Sequence, residues 1–180
     1  QFLQNPGALK GKTFPMTANS TGHWVASECL SKKFGLQQSD YRLVNLSPPD
    51  INAAMMSGKY DAASIWAPNT YILEEAIDAK VLCSGADLKM PIHSYIFVTP
   101  SFAKSNPDKV AKFLAVFMRA VMWERKNPKE AEIYLKKFYE SIGVKVDEKY
   151  LPREIQDRPV FDLDEQLKIF SPDASGQSDI

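Results

Sequence analysis

Asn19-Ser20-Thr21-Gly22-His23 places two hydroxyls, an amide and an imidazole where the chain passes from a short apolar run into a helical pattern. The first N–H groups of a helix have no carbonyl partner within it, and the helix dipole favours negative charge there. Small polar residues around a glycine at such a start can therefore receive an anionic group through charge-assisted hydrogen bonds. Ser20 and Thr21 serve as helix caps, as ligand contacts, or as both, since a cap and an anion use different N–H groups. Asn19 can add its amide. His23, in the first turn, is either a packing residue or a ligand contact through one hydrogen bond.

Two further clusters carry similar groups: Asn45 to Asp50, and Trp66 to Asn69. Asn45 and Asn69 are candidate hydrogen-bonding contacts. Trp66 is either a core residue or the wall of a cleft, its indole offering an apolar face and one N–H. Asp50 reads as favourable charge in a first helical turn, and Asp61, at a strand start, as structural. The second histidine, His93, reads as structural.

Catalytic sets are sparse. The chain has two histidines and two cysteines in 180 residues. It contains no HExxH, CxxC or phosphate-loop pattern. Cys29 falls inside a helical pattern and Cys83 in an apolar run, so the expectation is two buried thiols, from which no compartment can be read. No metal set and no cofactor are expected, and the residues point to binding rather than catalysis. Lys plus Arg and Asp plus Glu both number 22, giving a net charge of zero. That balance argues against a nucleic-acid footprint, which normally shows a basic stripe. No apolar run has the length of a membrane-spanning helix.

The elements that must position these clusters follow from periodicity and punctuation. Lys12–Thr17 reads as a strand weakened by Pro15. A helix follows from Ser20 or Thr21 to about Phe34, stopped by Gly35 with Leu36 packing back. Tyr41–Leu46 reads as a strand, Ser47-Pro48-Pro49-Asp50 as the start of a helix ended by Gly58, and Tyr60–Trp66 as a strand buried on both faces. A helix over Tyr71–Ala79 and strands over Lys80–Cys83 and Ile92–Thr99 complete the alternation. Strands alternating with helices at this spacing predict an α/β fold with a mainly parallel sheet. In such sheets ligands sit beyond the carboxyl ends of strands, which selects the same three clusters.

From Asn106 onward the pattern is helical. Asn106-Pro107 and Asn127-Pro128 read as cap-plus-proline helix starts. Val110, Phe113, Leu114, Phe117, Met118 and Val121 form one stripe, and Leu135, Phe138 and Ile142 another, both expected to be core surface. These helices must pack on something, and the sequence offers them few strands of their own.

Five motifs occur in order: Leu9-Lys10-Gly11-Lys12, Ser20-Thr21-Gly22-His23, Asn45-Leu46-Ser47-Pro48, Ser57-Gly58-Lys59-Tyr60-Asp61-Ala62 and Trp66-Ala67-Pro68. Together they resemble the periplasmic solute-binding proteins for nitrate, taurine and alkanesulfonates, a group that includes thiamine-precursor binders. Tyr95 to Trp123 and residues 148–169 resemble later parts of the same family. The resemblance implies a type II periplasmic-binding fold that closes on its ligand. Residues 8–91 would be lobe two and residues 92–180 the carboxyl part of lobe one, with a hinge near Pro91 to Tyr95. The amino part of lobe one, which precedes Leu9 in the family, would be missing, so a fragment is expected.

What the resemblance implies for function is an extracytoplasmic receptor of an ABC importer, periplasmic or held at the cell surface as a lipoprotein. Its partners would be a small organic or inorganic anion, such as a sulfonate or nitrate, and a membrane permease. The ligand contacts would be Asn19, Ser20, Thr21, Gly22, His23, Asn45, Trp66 and Asn69. The family commonly has an acid between this tryptophan and proline. Here it is Ala67, so a ligand ammonium group is not expected. Alternatives are a ligand-sensing module of the same fold, or a thiamine-precursor (pyrimidine) protein. The cysteine-rich motif of the pyrimidine synthase that shares this fold is absent.

Overall fold

The computed structural model describes residues 2, 4–90, 92 and 94–171. They form two compact units, Gln1–Ser94 and Tyr95–Ile180. His93 and residues 172–180 lie outside the described residues.

In the first unit, β1 (Thr13–Met16) pairs in parallel with β2 (Arg42–Asn45), Thr13 opposite Arg42 and Met16 opposite Asn45. The α1 helix (Thr21–Glu28) connects them and runs on into a π-helical turn, Cys29–Lys33. Gly35 ends it at φ +66°, a conformation that costs glycine little. The Leu36 N–H then closes on the Leu30 carbonyl at 2.9 Å, and both leucines are buried. Hydrogen bonding and apolar contact thus stop the helix together.

The α2 helix (Pro48–Met56) starts from Ser47, whose hydroxyl accepts the Asp50 N–H and donates to the Asp50 carboxylate at 2.5 Å. The α3 helix (Asn69–Ile77) ends at Asp78, a left-handed cap. Leu9, Phe14, Leu30, Leu36 and Tyr41 make one core, with Ala62 packed on it. Ile51, Met55 and Leu73 make a second, covered by Ala63 and Ile65. Ala62 therefore faces one core and Ala63 and Ile65 the other, as in a chain that passes between two packed layers.

That segment nonetheless forms no ladder, contrary to the expected third strand. The Lys12 and Met16 carbonyls accept from Arg42 and Leu46, so the alternate backbone groups of β1, at Pro15, face the other way. The Pro15 carbonyl accepts the Ser64 N–H at 3.0 Å. Pro15 has no N–H to return a bond, and pairing stops at one contact. Lys80–Cys83 and the described part of Ile92–Thr99 are not strands either.

The two cysteines correct the sequence reading. They are not free thiols: Cys29 and Cys83 form a disulfide with Cα atoms 6.0 Å apart. It ties the end of α1 to the segment before Ser84. Lys33 reinforces the link through an ion pair with Asp87 at 2.9 Å.

The second unit contains α4 (Pro100–Ser105), α5 (Pro107–Lys126), α6 (Pro128–Ser141), α7 (Leu151–Asp157) and α8 (Leu163–Phe170). Asn106 and Asn127 do precede helices, but their side chains do not cap them. Each Nδ2 donates backward, to the Phe102 and Trp123 carbonyls, finishing the previous helix instead. Tyr139 on α6 donates to Glu154 on α7 at 2.5 Å, and both are buried. Arg125 on α5 binds Asp162 and Glu165, the capping box of α8. The α5 stripe is not core surface here. Val121 is 5% exposed, but Phe113 is 53% and Leu114 45%, because the described residues of this unit supply no second layer over that face.

Candidate functional site

The helix start predicted from sequence is formed as a capped turn. Asn19 adopts φ +59°, a left-handed conformation that asparagine tolerates. Its N–H donates to His23 Nδ1 at 3.2 Å. With Nδ1 accepting, the ring hydrogen lies on Nε2. The Ser20 hydroxyl donates to the Thr17 carbonyl at 2.6 Å and accepts the His23 N–H at 3.1 Å. Ser20 is therefore a cap, its hydroxyl hydrogen donated to Thr17. The N–H groups of Thr21 and Gly22, the first two residues of α1, have no carbonyl within the helix to pair with.

The β2 exit is fastened to the β1 exit. Asn45 Oδ1 accepts the Ala18 N–H at 2.9 Å, and the Thr17 hydroxyl donates to the Leu46 carbonyl at 3.1 Å. Because Oδ1 is the accepting atom, Asn45 keeps its NH₂ as a donor.

Trp66 joins the same turn. A Cβ on Gly22 would stand 3.3 Å from Trp66 Cε3, so a larger residue there would push the indole back by a few tenths of an ångström. Ser64, one of the small residues of the 62–65 run, donates to the Gly22 carbonyl at 2.8 Å and holds the helix start against the segment. Trp66 is 41% exposed, which removes the reading of a core tryptophan. Asn69 opens α3, its N–H bonded to the Trp66 carbonyl at 3.0 Å and its Oδ1 to Asn52 Nδ2 at 2.8 Å.

The structure thus links Asn19, Ser20, Thr21, Gly22, His23 and Asn45 around the first turn of α1 and places the Trp66 ring beside it, while Asn69 is tied to the Trp66 backbone. Asp61 pairs with Lys12 at 2.7 Å and holds no part of this turn. Ser64 and Asn52 were missed from sequence. Ser64 interrupts an apolar strand pattern. Asn52 sits three residues from Met55 and next to Ile51, on the buried side of a helix. A polar residue there was the available signal.

The chemistry this arrangement can do is recognition. It presents N–H donors beside an aromatic face. The two cysteines are held in a disulfide and supply no thiolate nucleophile. Among the described residues, no three His, Cys, Asp or Glu side chains stand where they could share a metal ion. No helix among them is long and apolar enough to cross a membrane.

Comparison with known proteins gives a consistent picture. A family model described as NMT1/THI5 like matches residues 2–131. A Bacillus subtilis (strain 168) protein named "Putative aliphatic sulfonates-binding protein" is 30% identical over 129 residues, 72% of this chain and 39% of its own length. The taurine-binding periplasmic protein of Escherichia coli (strain K12) is 32% identical over 114 residues, 62% of this chain and 35% of its own. The crystal structure of the periplasmic aliphatic sulphonate binding protein SsuA from Escherichia coli superposes with a TM-score of 0.70 at 24% identity. It covers 86% of this chain and 48% of that one. The alkanesulfonate-binding protein SsuA from Xanthomonas axonopodis pv. citri, bound to MOPS, gives 0.66 at 22% identity, covering 84% and 50%. The fold is therefore that of periplasmic binding proteins, and the chain spans half or less of the length of each of these relatives.

Proposed function

Because the chain belongs to the NMT1/THI5-like family, we propose that it is the ligand-contacting part of an extracytoplasmic solute-binding receptor. The receptor would serve an ABC importer and deliver a small sulfonate to a membrane permease. The observation that carries this reading is the contact between Gly22 and Trp66, with 3.3 Å from the glycine's Cβ position to the indole. It sets the unpaired N–H groups of a helix start against an exposed apolar ring. An alkanesulfonate has the matching shape, an anionic head on an apolar tail. Within the site, Thr21 and Gly22 receive the head, Trp66 flanks the tail, and Asn45, Asn69 and His23 add hydrogen bonds.

Two observations support the particulars. The disulfide suits an oxidising compartment such as the periplasm, since cytosolic reductants keep thiols reduced. Ala67 places no carboxylate beside Trp66, which favours a simple alkanesulfonate over a zwitterion such as taurine. Isothermal titration of the full-length protein with ethanesulfonate, taurine, nitrate and a pyrimidine tests the reading. Ethanesulfonate is expected to bind more tightly than taurine. Binding of the pyrimidine with none to any sulfonate would turn the reading toward thiamine precursors.

A further inference from the structure

Asn52 is 7% exposed, on the buried side of α2 between Ile51 and Met55. Its Nδ2 donates to Asn69 Oδ1, while its own Oδ1 is buried with no hydrogen-bond partner among the described residues. A buried acceptor left without a donor destabilises the fold, and a leucine of similar size would avoid the penalty. Packing therefore does not account for an amide at this position. What the amide holds does.

Asn69 begins α3 beside Trp66. A free asparagine amide offers a ligand either its carbonyl or its NH₂. With Oδ1 engaged by Asn52, Asn69 is biased toward offering its NH₂. The same restriction recurs at two other candidate contacts. Asn45 Oδ1 is taken by the Ala18 N–H and His23 Nδ1 by the Asn19 N–H. At each of these three side chains the accepting atom already has a donor within the fold.

We propose that Asn52 is a positioning residue for ligand recognition: it commits Asn69 to donate, and so completes a donor-only surface with Asn45 and His23. These three donors suit an oxyanion with no proton of its own and disfavour one that carries a proton, whose O–H would oppose a donor at any of the three. The inference rests on the anion-receptor reading above and deepens it.

The test is a double-mutant cycle in the full-length protein, with ethanesulfonate as the probe in calorimetry. Asn52→Leu is expected to weaken binding about tenfold while the melting temperature holds or rises. Asn69→Ala is expected to weaken it by a similar factor, and the double variant no further than Asn69→Ala alone. Asn52→Ala, measured alongside, gives the same cycle should leucine prevent folding. A purely structural role would make the two losses multiply, and that result overturns the inference, as does unchanged affinity in Asn52→Leu. In the wild type, ethylphosphonate at neutral pH, where it still carries a proton, is expected to bind at least about tenfold more weakly than ethanesulfonate. Equal affinities overturn the donor-only surface. If the wild type binds no sulfonate at all, the receptor reading itself falls and this inference with it. Sulfonate binding with unaffected variants removes the role of Asn52 alone.

Discussion

Removing the Cys29–Cys83 disulfide should cost the first unit a large share of its stability while leaving the candidate site assembled. The bridge spans 54 residues of sequence. Closing a loop of that size restricts the unfolded chain by about 4 kcal/mol. For a unit of this length such a loss lowers the melting temperature by about 20 °C. Cys29 lies at the end of α1 remote from Thr21, and the helix start has its own fastenings in the Ser20 cap and the Ser64 bond to Gly22. Sulfonate affinity should therefore change much less than stability at temperatures where the reduced protein is still folded. The assay compares urea and thermal unfolding of the oxidised protein, the dithiothreitol-reduced protein and the Cys29→Ala/Cys83→Ala variant. If the three unfold within about 1 kcal/mol of one another, the loop-closure argument fails. Uptake of two iodoacetamide equivalents by denatured, unreduced protein would show that the bridge is not there.

Four further outcomes are expected. Ser20→Ala should destabilise the first unit by about 1 kcal/mol through loss of the cap, measurable by urea titration, and should weaken binding only as far as the turn loosens. Gly22→Val should push the Trp66 ring away from the helix start, shifting tryptophan emission and weakening sulfonate binding, because even a Cβ there meets the ring at 3.3 Å. Asp87 is held down to about 2, first by its hydrogen bond from Lys33 and then by those from Ser84. Its contribution is present above the ordinary value of 3.8 and is lost as pH falls toward about 2. Exposure limits that contribution to no more than about 1 kcal/mol, so Asp87→Asn should flatten the acid limb of a pH–stability curve only slightly. Tyr139 is pushed up to about 12, first by burial and then by Glu154. Its contribution is full below the ordinary value of 10.0 and is lost as pH rises toward about 12, and Tyr139→Phe should cost the second unit about 1–3 kcal/mol in denaturant titrations.

Local punctuation was the most legible part of the sequence. Gly35-Leu36, Ser47-Pro48 and Gly58 end or begin helices where their backbone preferences require, because those preferences act within a turn or two. The α/β class and the parallel β1–β2 pairing followed from the alternation of apolar runs. What was not legible depends on distant partners. Tyr60–Trp66 has the composition of a buried strand, yet Pro15, far away in sequence, denies it the returning bond. Cys29 and Cys83 sit in apolar contexts that look alike whether the sulfurs are joined or free. Asn106 and Asn127 are competent caps on either side, and only the backbone geometry sends their amides backward. At the site, the residue types of the first turn were readable, but not which atoms remain available. Ser20 spends its hydrogen on Thr17, and Asn69 spends its acceptor on Asn52, two contacts with no mark in the local sequence.

The proposed receptor holds a sulfonate at the first turn of α1 beside Trp66. A crystal structure of the full-length protein with ethanesulfonate tests it most directly. Sulfonate oxygens are expected within hydrogen-bond distance of the Thr21 and Gly22 N–H groups, with the ethyl chain against the Trp66 indole. A ligand bound elsewhere, with those two N–H groups facing water, would contradict it.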